Sequence, residues 1–209
     1  MPYGYLGQNL PNQTVSNSGV FSISDVADLE KQGKFGGSLE LIEEQTASSD
    51  SLLDFLSIQE NKYDIHFLTL ENISVSTDNA DMKIRYYESG VLETGSVYQC
   101  AGQYGITGST SSQSRTTATS TPFVSSNIGN ATNEQGQSYV YCYNLGNSSR
   151  LSFYTFHSST IKNTGAYMYF FGGGVLPQAS TVDGIRIFPS AGTFTGTVKL
   201  YGVKQIWVL

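Results

Sequence analysis

The chain has 209 residues, of which 13% are charged and 39% are hydrophobic, and its formal net charge is −6. This length fits one all-β sandwich or barrel and is sufficient to bury a core. Because no stretch forms a basic stripe and no run approaches 18 consecutive apolar residues, we expect neither nucleic-acid binding nor membrane insertion. We also expect no signal peptide, since the first 24 residues lack a basic start.

The charges are distributed unevenly along the chain. Residues 25–93 hold 15 of the 17 acidic and five of the 11 basic residues, which gives this segment a net charge of −10 and the remainder +4. Such an asymmetry either steers contacts between subunits or reflects two differently solvated faces. The remaining polar residues are uncharged. A surface built from them suits packing against another surface, because few charges have to be desolvated.

Residues 1–19 have neither a helical nor a strand period, which predicts an extended N-terminal arm or a frayed terminus. If it is an arm, its apolar side chains are candidates for docking onto a neighbouring protein. They are Tyr3, Tyr5, Leu6 and Leu10. A short strand is predicted at 20–24, and a capping Asp25 and a terminating Gly33 predict one short helix over 25–33.

Alternation of apolar and polar residues predicts strands in most of the remaining chain. We expect a hairpin of 38–46 with 51–58, followed by the strands 62–73, 82–89, 138–145, 151–157 and 166–171. The Ser/Thr/Gly-rich segment 101–137 predicts a long polar loop, with one short strand at 121–124. A glycine-rich run, "FGGGVLP", predicts a turn with unusual backbone angles.

The segment "VDGIRIFPSAGTFTGTVKLYGVK", residues 182–204, predicts a second hairpin that pairs with early strands and closes the domain. Its predicted core positions are Ile185, Ile187, Val198, Leu200 and Val203. About ten strands without a repeat or a linker predict an all-β fold, a single jelly-roll β-sandwich over 20–209 behind the arm 1–19.

Residues that could carry chemistry are few. His66 and His157 lie on or at the end of strands without metal-ligand spacing, so we expect no metal site and no cofactor. A carboxylate pair for glycoside hydrolysis would have to come from Glu40, Asp54 and Glu60, but solvated strand faces explain these acids better. Cys100 and Cys142 lie on apolar strand-like runs and are expected to be buried free thiols, with a bridge between strands as the alternative. We expect no catalytic residues.

Three tyrosines, Tyr139, Tyr141 and Tyr143, point to one face of one predicted strand. Such a row can belong to the core, to a protein interface or to a sugar-binding face. The sequence leaves these three interpretations open.

Three segments resemble a module of structural proteins from tailed phages, especially marine phages. They are "GVFSISDVADLEKQGKFGGSLELIEEQT", "YDIHFLTLENISVSTDNADMKIRYYESG" and the closing segment 182–204. The resemblance covers most of residues 19–204. It implies a jelly-roll virion protein on the exterior of the phage particle, made in the cytoplasm of the bacterial host, without catalytic residues.

The resemblance favours a head decoration or cement protein, because this chain lacks the shaft of the longer fibre proteins. The expected partners are other copies of the chain, as a homotrimer, and capsid or tail proteins. Alternatives are a tail fibre or tail-tip protein that recognises host surface glycan and, less favoured, a glycan hydrolase.

Overall fold

The computed structural model describes Ser24 and residues 38–109 and 111–204. All secondary-structure elements within the two ranges 38–109 and 111–204 are β-strands. The strands follow the alternating segments of the sequence, because alternation places apolar side chains on one face of a pleated sheet. The twelve strands are β1 Leu39–Asp50, β2 Leu53–Phe55, β3 Ile65–Val75, β4 Met82–Glu88, β5 Val91–Leu92, β6 Tyr98–Ile106, β7 Ser112–Thr119, β8 Gly136–Tyr143, β9 Leu151–Ile161, β10 Tyr167–Ala179, β11 Val182–Pro189 and β12 Phe194–Val203.

The strands form two antiparallel sheets. The eight-stranded sheet has the order β1-β12-β3-β8-β9-β10-β6-β7, and the four-stranded sheet has the order β2-β11-β4-β5. Early and late strands therefore pair in both sheets, as the sequence predicts: β12 lies between β1 and β3, and β11 lies between β2 and β4.

Apolar side chains from both sheets form one core. Ile185, Ile187, Val198 and Leu200 are fully buried as predicted, whereas Val203 is only half-buried. Beneath β9 and β10 the core is aromatic: the Phe170 ring lies 4.9 Å from the rings of both Phe123 and Phe156. Those three rings pack under the middle of the eight-stranded sheet, so its outer face is held on a rigid base.

Both predicted hairpins are wrong in their pairing. β1 belongs to the eight-stranded sheet and β2 to the four-stranded sheet, and β12 and β11 are divided in the same way. Residues 190–193 connect β11 in the four-stranded sheet to β12 in the eight-stranded sheet. Four extended residues reach about 13 Å and stacked sheets lie about 10 Å apart, so a short connection can join two sheets as easily as two neighbouring strands.

The long polar loop predicted at 101–137 is also wrong. This segment contains most of β6, all of β7 and the start of β8. Residues 121–124 form no named strand, but Val124 donates to Met82 O and Ile84 donates to Pro122 O, which ties this segment to β4. Strand β7 is an edge strand whose two faces are both largely exposed, so it lacks the apolar alternation that marks a strand.

The glycine-rich run is strand rather than turn. Gly172, Gly173 and Gly174 lie inside β10, and none of them has a positive φ. Their role is close approach: a Cβ on Gly173 would lie 2.5 Å from Tyr154 O, and one on Gly172 would lie 2.2 Å from Ala101 O. The prediction of unusual backbone angles is therefore wrong.

The predicted arm 1–19 with Tyr3, Tyr5, Leu6 and Leu10, the strand 20–24 except Ser24, and the helix 25–33 lie outside the described residues. Within the part of the chain that is described, there is no helix both long enough and apolar enough to cross a membrane.

Candidate functional site

The tyrosines of β8 lie on the outer face of the eight-stranded sheet. Tyr139 is 42% exposed, and Tyr141 and Tyr143 are half-buried. The alternate side chains of the same strand, Val140 and Cys142, are fully buried against the core. The core interpretation of these tyrosines therefore does not hold, while the interface and sugar-binding interpretations remain open.

Neighbouring strands add aromatic side chains to this face. We call Phe67, Tyr139, Tyr141, Tyr143 and Tyr201 the tyrosine cluster. The Phe67 ring lies 4.6 Å from the ring of Tyr141 and 6.0 Å from that of Tyr201. Strand pairing places these three residues side by side on β12, β3 and β8, which is why their rings meet.

Ring contacts continue beyond the cluster. The His157 ring on β9 lies 5.7 Å from Tyr139, and the Phe171 ring on β10 lies 6.4 Å from His157. Tyr169 stacks on Phe171 at 6.1 Å. Aromatic contacts thus cross five neighbouring strands of the outer face, from β12 to β10.

A groove lies beside these rings where the outward side chains are small. Thr155, Gly173 and Ala101 are register partners on β9, β10 and β6 and form its floor. Phe153 and Val175 stand on one side and are partners of each other. We call this the glycine groove. Its volume is about 860 Å³, and its lining also includes Gln99 on β6 and residues of the edge strand β7: Arg115, Thr116 and Thr117.

A second, smaller hollow adjoins the glycine groove at Thr155. It has a volume of about 490 Å³ and is lined by the rings of Tyr139, Tyr141, His157 and Phe171. Volumes of this size are typical of sites for small ligands. Small side chains between two rows of large ones therefore give the outer face two concave regions.

The two ends of the eight-stranded sheet differ in charge. Strands β6 to β10, which we call the uncharged end, carry Arg115 as their single Lys, Arg, Asp or Glu residue. Arg115 is exposed and forms no ion pair within the described residues. An exposed guanidinium on a surface without carboxylates is free to bind an external anion.

The charged end consists of β1, β12 and β3, and two of its carboxylates are held by lysines. Lys62 Nζ lies 2.8 Å from Glu40 Oε1, and Lys199 Nζ lies 2.9 Å from Glu71 Oε2. The hydrogen bond from Lys62 lowers the pKa of Glu40 to about 2. The hydrogen bond from Lys199 likewise lowers the pKa of Glu71.

The carboxylates considered for hydrolysis are occupied in other ways. Asp54 on β2 receives two hydrogen bonds from Arg186 on β11, at 2.7 and 2.6 Å. Burial alone would raise the pKa of Asp54, but the bonds from Arg186 and Tyr87 lower it overall. A general acid needs a raised pKa. Asp54 and Glu40 show the opposite shift, and Glu60 accepts a hydrogen bond from Asn61.

Both cysteines are buried and free, as the sequence predicts. Strands β9 and β10 separate Cys142 on β8 from Cys100 on β6, a distance of about 14 Å at the usual spacing of strands. A disulfide is therefore excluded, because bridged cysteines have Cα atoms less than about 7 Å apart. Burial raises the pKa of the Cys142 thiol to about 12.

His66 is also a core residue. Its side chain is fully buried, and Nε2 lies 2.8 Å from the carbonyl oxygen of Ile58. Burial lowers its pKa, and because a carbonyl oxygen can only accept, Nε2 carries the proton and donates it to Ile58. The described residues contain no group of three or more His, Cys, Asp or Glu side chains placed to hold a metal ion.

Comparison with known proteins gives no relative: no protein-family model, curated protein or solved structure matches this chain.

Sequence reasoning placed Tyr139, Tyr141 and Tyr143 on one face but missed Phe153 and Arg115. The signal that could have found the surface is the near absence of charge in the strand segments between residues 98 and 179. Strand register, which the sequence does not reveal, brings the missed residues together.

Proposed function

We propose that the protein is a non-enzymatic structural module of a phage particle, carried on the particle exterior and attached to other particle proteins through the tyrosine cluster. The resemblance of three segments to structural proteins of tailed phages supports the virion role. The observation that supports attachment is the exposed, charge-poor aromatic surface on the outer face of the eight-stranded sheet.

The strand order supports the jelly roll that the resemblance implies. In a jelly roll the chain passes back and forth between two sheets, so that early strands pair with late ones in each sheet. Here β1 and β3 flank β12 in one sheet, and β2 and β4 flank β11 in the other. Strand β8 then pairs with β3, and the remaining strands of the uncharged end extend the larger sheet.

The composition of the outer face supports a protein contact. The centre of a protein interface is enriched in Tyr, Trp, Phe, Met and Arg and depleted of Lys, Glu and Asp. The tyrosine cluster consists of four Tyr and one Phe, and the strand that contributes three of them, β8, has no charged residue. Rings that already contact one another lose little side-chain freedom when a partner covers them.

A homotrimer is the assembly that we propose, because closed rotational symmetry is usual for oligomers and multivalent attachment strengthens weak contacts. A stable contact buries about 800 Å² on each partner. The role would be that of a head decoration or cement protein, which ties neighbouring subunits of the particle together.

The test is incorporation into particles, with the protein quantified against the major capsid protein. Tyr139→Glu places a charge in the cluster at an exposed position and should reduce incorporation at least tenfold, because the charge would be desolvated in the contact. Val91→Glu is the matched control, since Val91 is 70% exposed on β5 in the four-stranded sheet, away from the cluster. Equal incorporation of Tyr139→Glu and wild-type protein would contradict attachment through the cluster.

The copy number of wild-type protein separates the possible locations. Hundreds of copies in each particle would support a head decoration protein. A dozen or two would place the protein in the tail or at a vertex and contradict the decoration role.

A further inference from the structure

We propose that the glycine groove binds a saccharide chain that carries carboxylate groups. The groove is distinct from the tyrosine cluster, whose side chains do not line it. The inference therefore goes beyond attachment to particle proteins and does not depend on it. It is carried by the shape of the groove, the free Arg115 and the polar groups of the lining.

The shape fits a chain that crosses the strands. The floor residues Thr155, Gly173 and Ala101 lie on three neighbouring strands, and the next strand in the same register row places Arg115 at the end of the floor. With strands about 4.8 Å apart, the row from Thr155 to Arg115 is about 14 Å long. Phe153, 45% exposed, stands beside the floor and offers a ring face to the apolar side of a sugar.

Charge complementarity points to an anionic ligand. Arg115 is the single charged residue of strands β6 to β10, in a chain whose net charge is −6. Its guanidinium presents paired donors that match the two oxygens of a carboxylate. Because no described carboxylate pairs with it, ligand binding would not have to break an existing ion pair.

The polar groups of the lining favour a saccharide over a peptide. Gln99, Thr117 and Thr155 offer amide and hydroxyl groups that can both donate to and accept from sugar hydroxyls. A peptide would bring one N–H and one C=O for each residue. The backbone of the floor is paired within the sheet and cannot satisfy them.

Binding is measured by calorimetry on the purified full chain with oligogalacturonate, and with its methyl ester as the uncharged probe of the same backbone. An array of uronate-containing, sialylated and neutral glycans extends the test to other sugars. We expect binding to carboxylate-bearing glycans that is at least tenfold tighter than to neutral ones, because one charge-assisted bidentate contact is lost with the charge.

Two substitutions separate the parts of the site. Arg115→Gln should weaken binding of the acidic glycan about tenfold and remove the preference over the neutral one, while Phe153→Ala should weaken both about equally. Both side chains are exposed, so the unfolding transition of each variant should match that of the wild type. Arg150→Gln and Tyr167→Ala are matched controls, since these exposed residues lie outside the lining and should leave binding unchanged.

The proposal is overturned if no carboxylate-bearing glycan binds, or if Arg115→Gln binds acidic and neutral glycans as the wild type does. Binding of a peptide with a free carboxyl terminus in place of all glycans would assign the groove to a protein partner and also overturn it. Because Tyr139→Glu leaves the lining of the groove intact, loss of attachment and loss of glycan binding can be told apart.

Discussion

The two ends of the eight-stranded sheet cover the same core but carry different outer faces. At the charged end, Glu71 on the outer face is held by Lys199, and the exposed Glu44 is the register partner of this lysine. At the uncharged end, exposed rings and small polar side chains surround one free arginine, Arg115. Both ends stand on the same continuous core. The shared core therefore does not require the difference between the two outer faces.

The largest expected effects compare the two faces of the uncharged end. Phe170→Ala removes a ring that is 2% exposed and should lower the free energy of unfolding by about 3–5 kcal/mol. Phe153→Ala on the outer face should change it by less than about 0.5 kcal/mol. Urea denaturation of both variants measures the difference, with Leu200→Ala as a core control at the charged end. A Phe153→Ala cost as large as that of Phe170→Ala would mean that the outer rings serve stability.

The next effect compares a paired charge with the free one. Asp54→Asn removes the carboxylate that holds Arg186, whose side chain is 21% exposed, and should cost about 2 kcal/mol at pH 7. Arg115→Gln should cost less than about 0.5 kcal/mol, because nothing pairs with Arg115. Denaturation midpoints at pH 7 provide the comparison. Similar costs for the two substitutions would argue that Arg115 has a structural partner.

A pH effect should come from the inner face of the charged end. Burial lowers the pKa of His66, while its bond to Ile58 and the charges of Glu60 and Asp64 oppose this shift. The unfolded state then binds the proton more readily, so the contribution of His66 is complete above the usual histidine pKa of about 6.5 and is lost as the pH falls below it.

The slope from one such group is at most about 1.4 kcal/mol for each pH unit. Thermal unfolding between pH 7 and pH 5 should therefore show falling stability in the wild type and a flatter profile in His66→Gln. Parallel profiles would show that His66 does not contribute the titration.

The smallest effect concerns the exposed pairs of the charged end. Lys62 and Glu40 have 53% and 35% exposed side chains, so Lys62→Met should cost less than about 1 kcal/mol at low salt. Salt screens such a pair, and 1 M NaCl should remove most of the difference. A loss of stability that persists in 1 M salt would indicate that the side chain of Lys62 acts through packing on Tyr63. Lys62 Nζ lies 4.8 Å from the centroid of the Tyr63 ring.

Much of the fold could be predicted because alternation reports which side chains face the core. The strands around Phe67, Ile84, Tyr141 and Phe156 lie where the sequence places them, and the buried positions of β11 and β12 agree. The partner of each strand could not be predicted. A connection as short as 190–193 joins two sheets here, and the pattern of burial would be the same in a hairpin.

The candidate site depends on the information that the sequence lacks. Thr155, Gly173 and Arg115 form one row only because three strand pairings fix their register. The sequence predicts a loop over 101–137 because polar residues occupy both faces of β7 and because the part of β6 in this segment contains two glycines. The sequence predicts a turn at the glycines of β10, whereas in the structure they permit close contact with neighbouring backbone in an extended strand.

The most direct test of the outer face as a contact surface is the accessibility of single engineered cysteines in free protein and in purified particles. The native thiols give little background, because Cys100 and Cys142 are buried. Thr155 borders the tyrosine cluster, since its Oγ1 lies 3.3 Å from Tyr143 Oη, so we predict that T155C reacts with a maleimide in the free protein and is protected in particles. T46C, at the charged end, should react in both. Equal labelling of T155C in the two states would contradict the account.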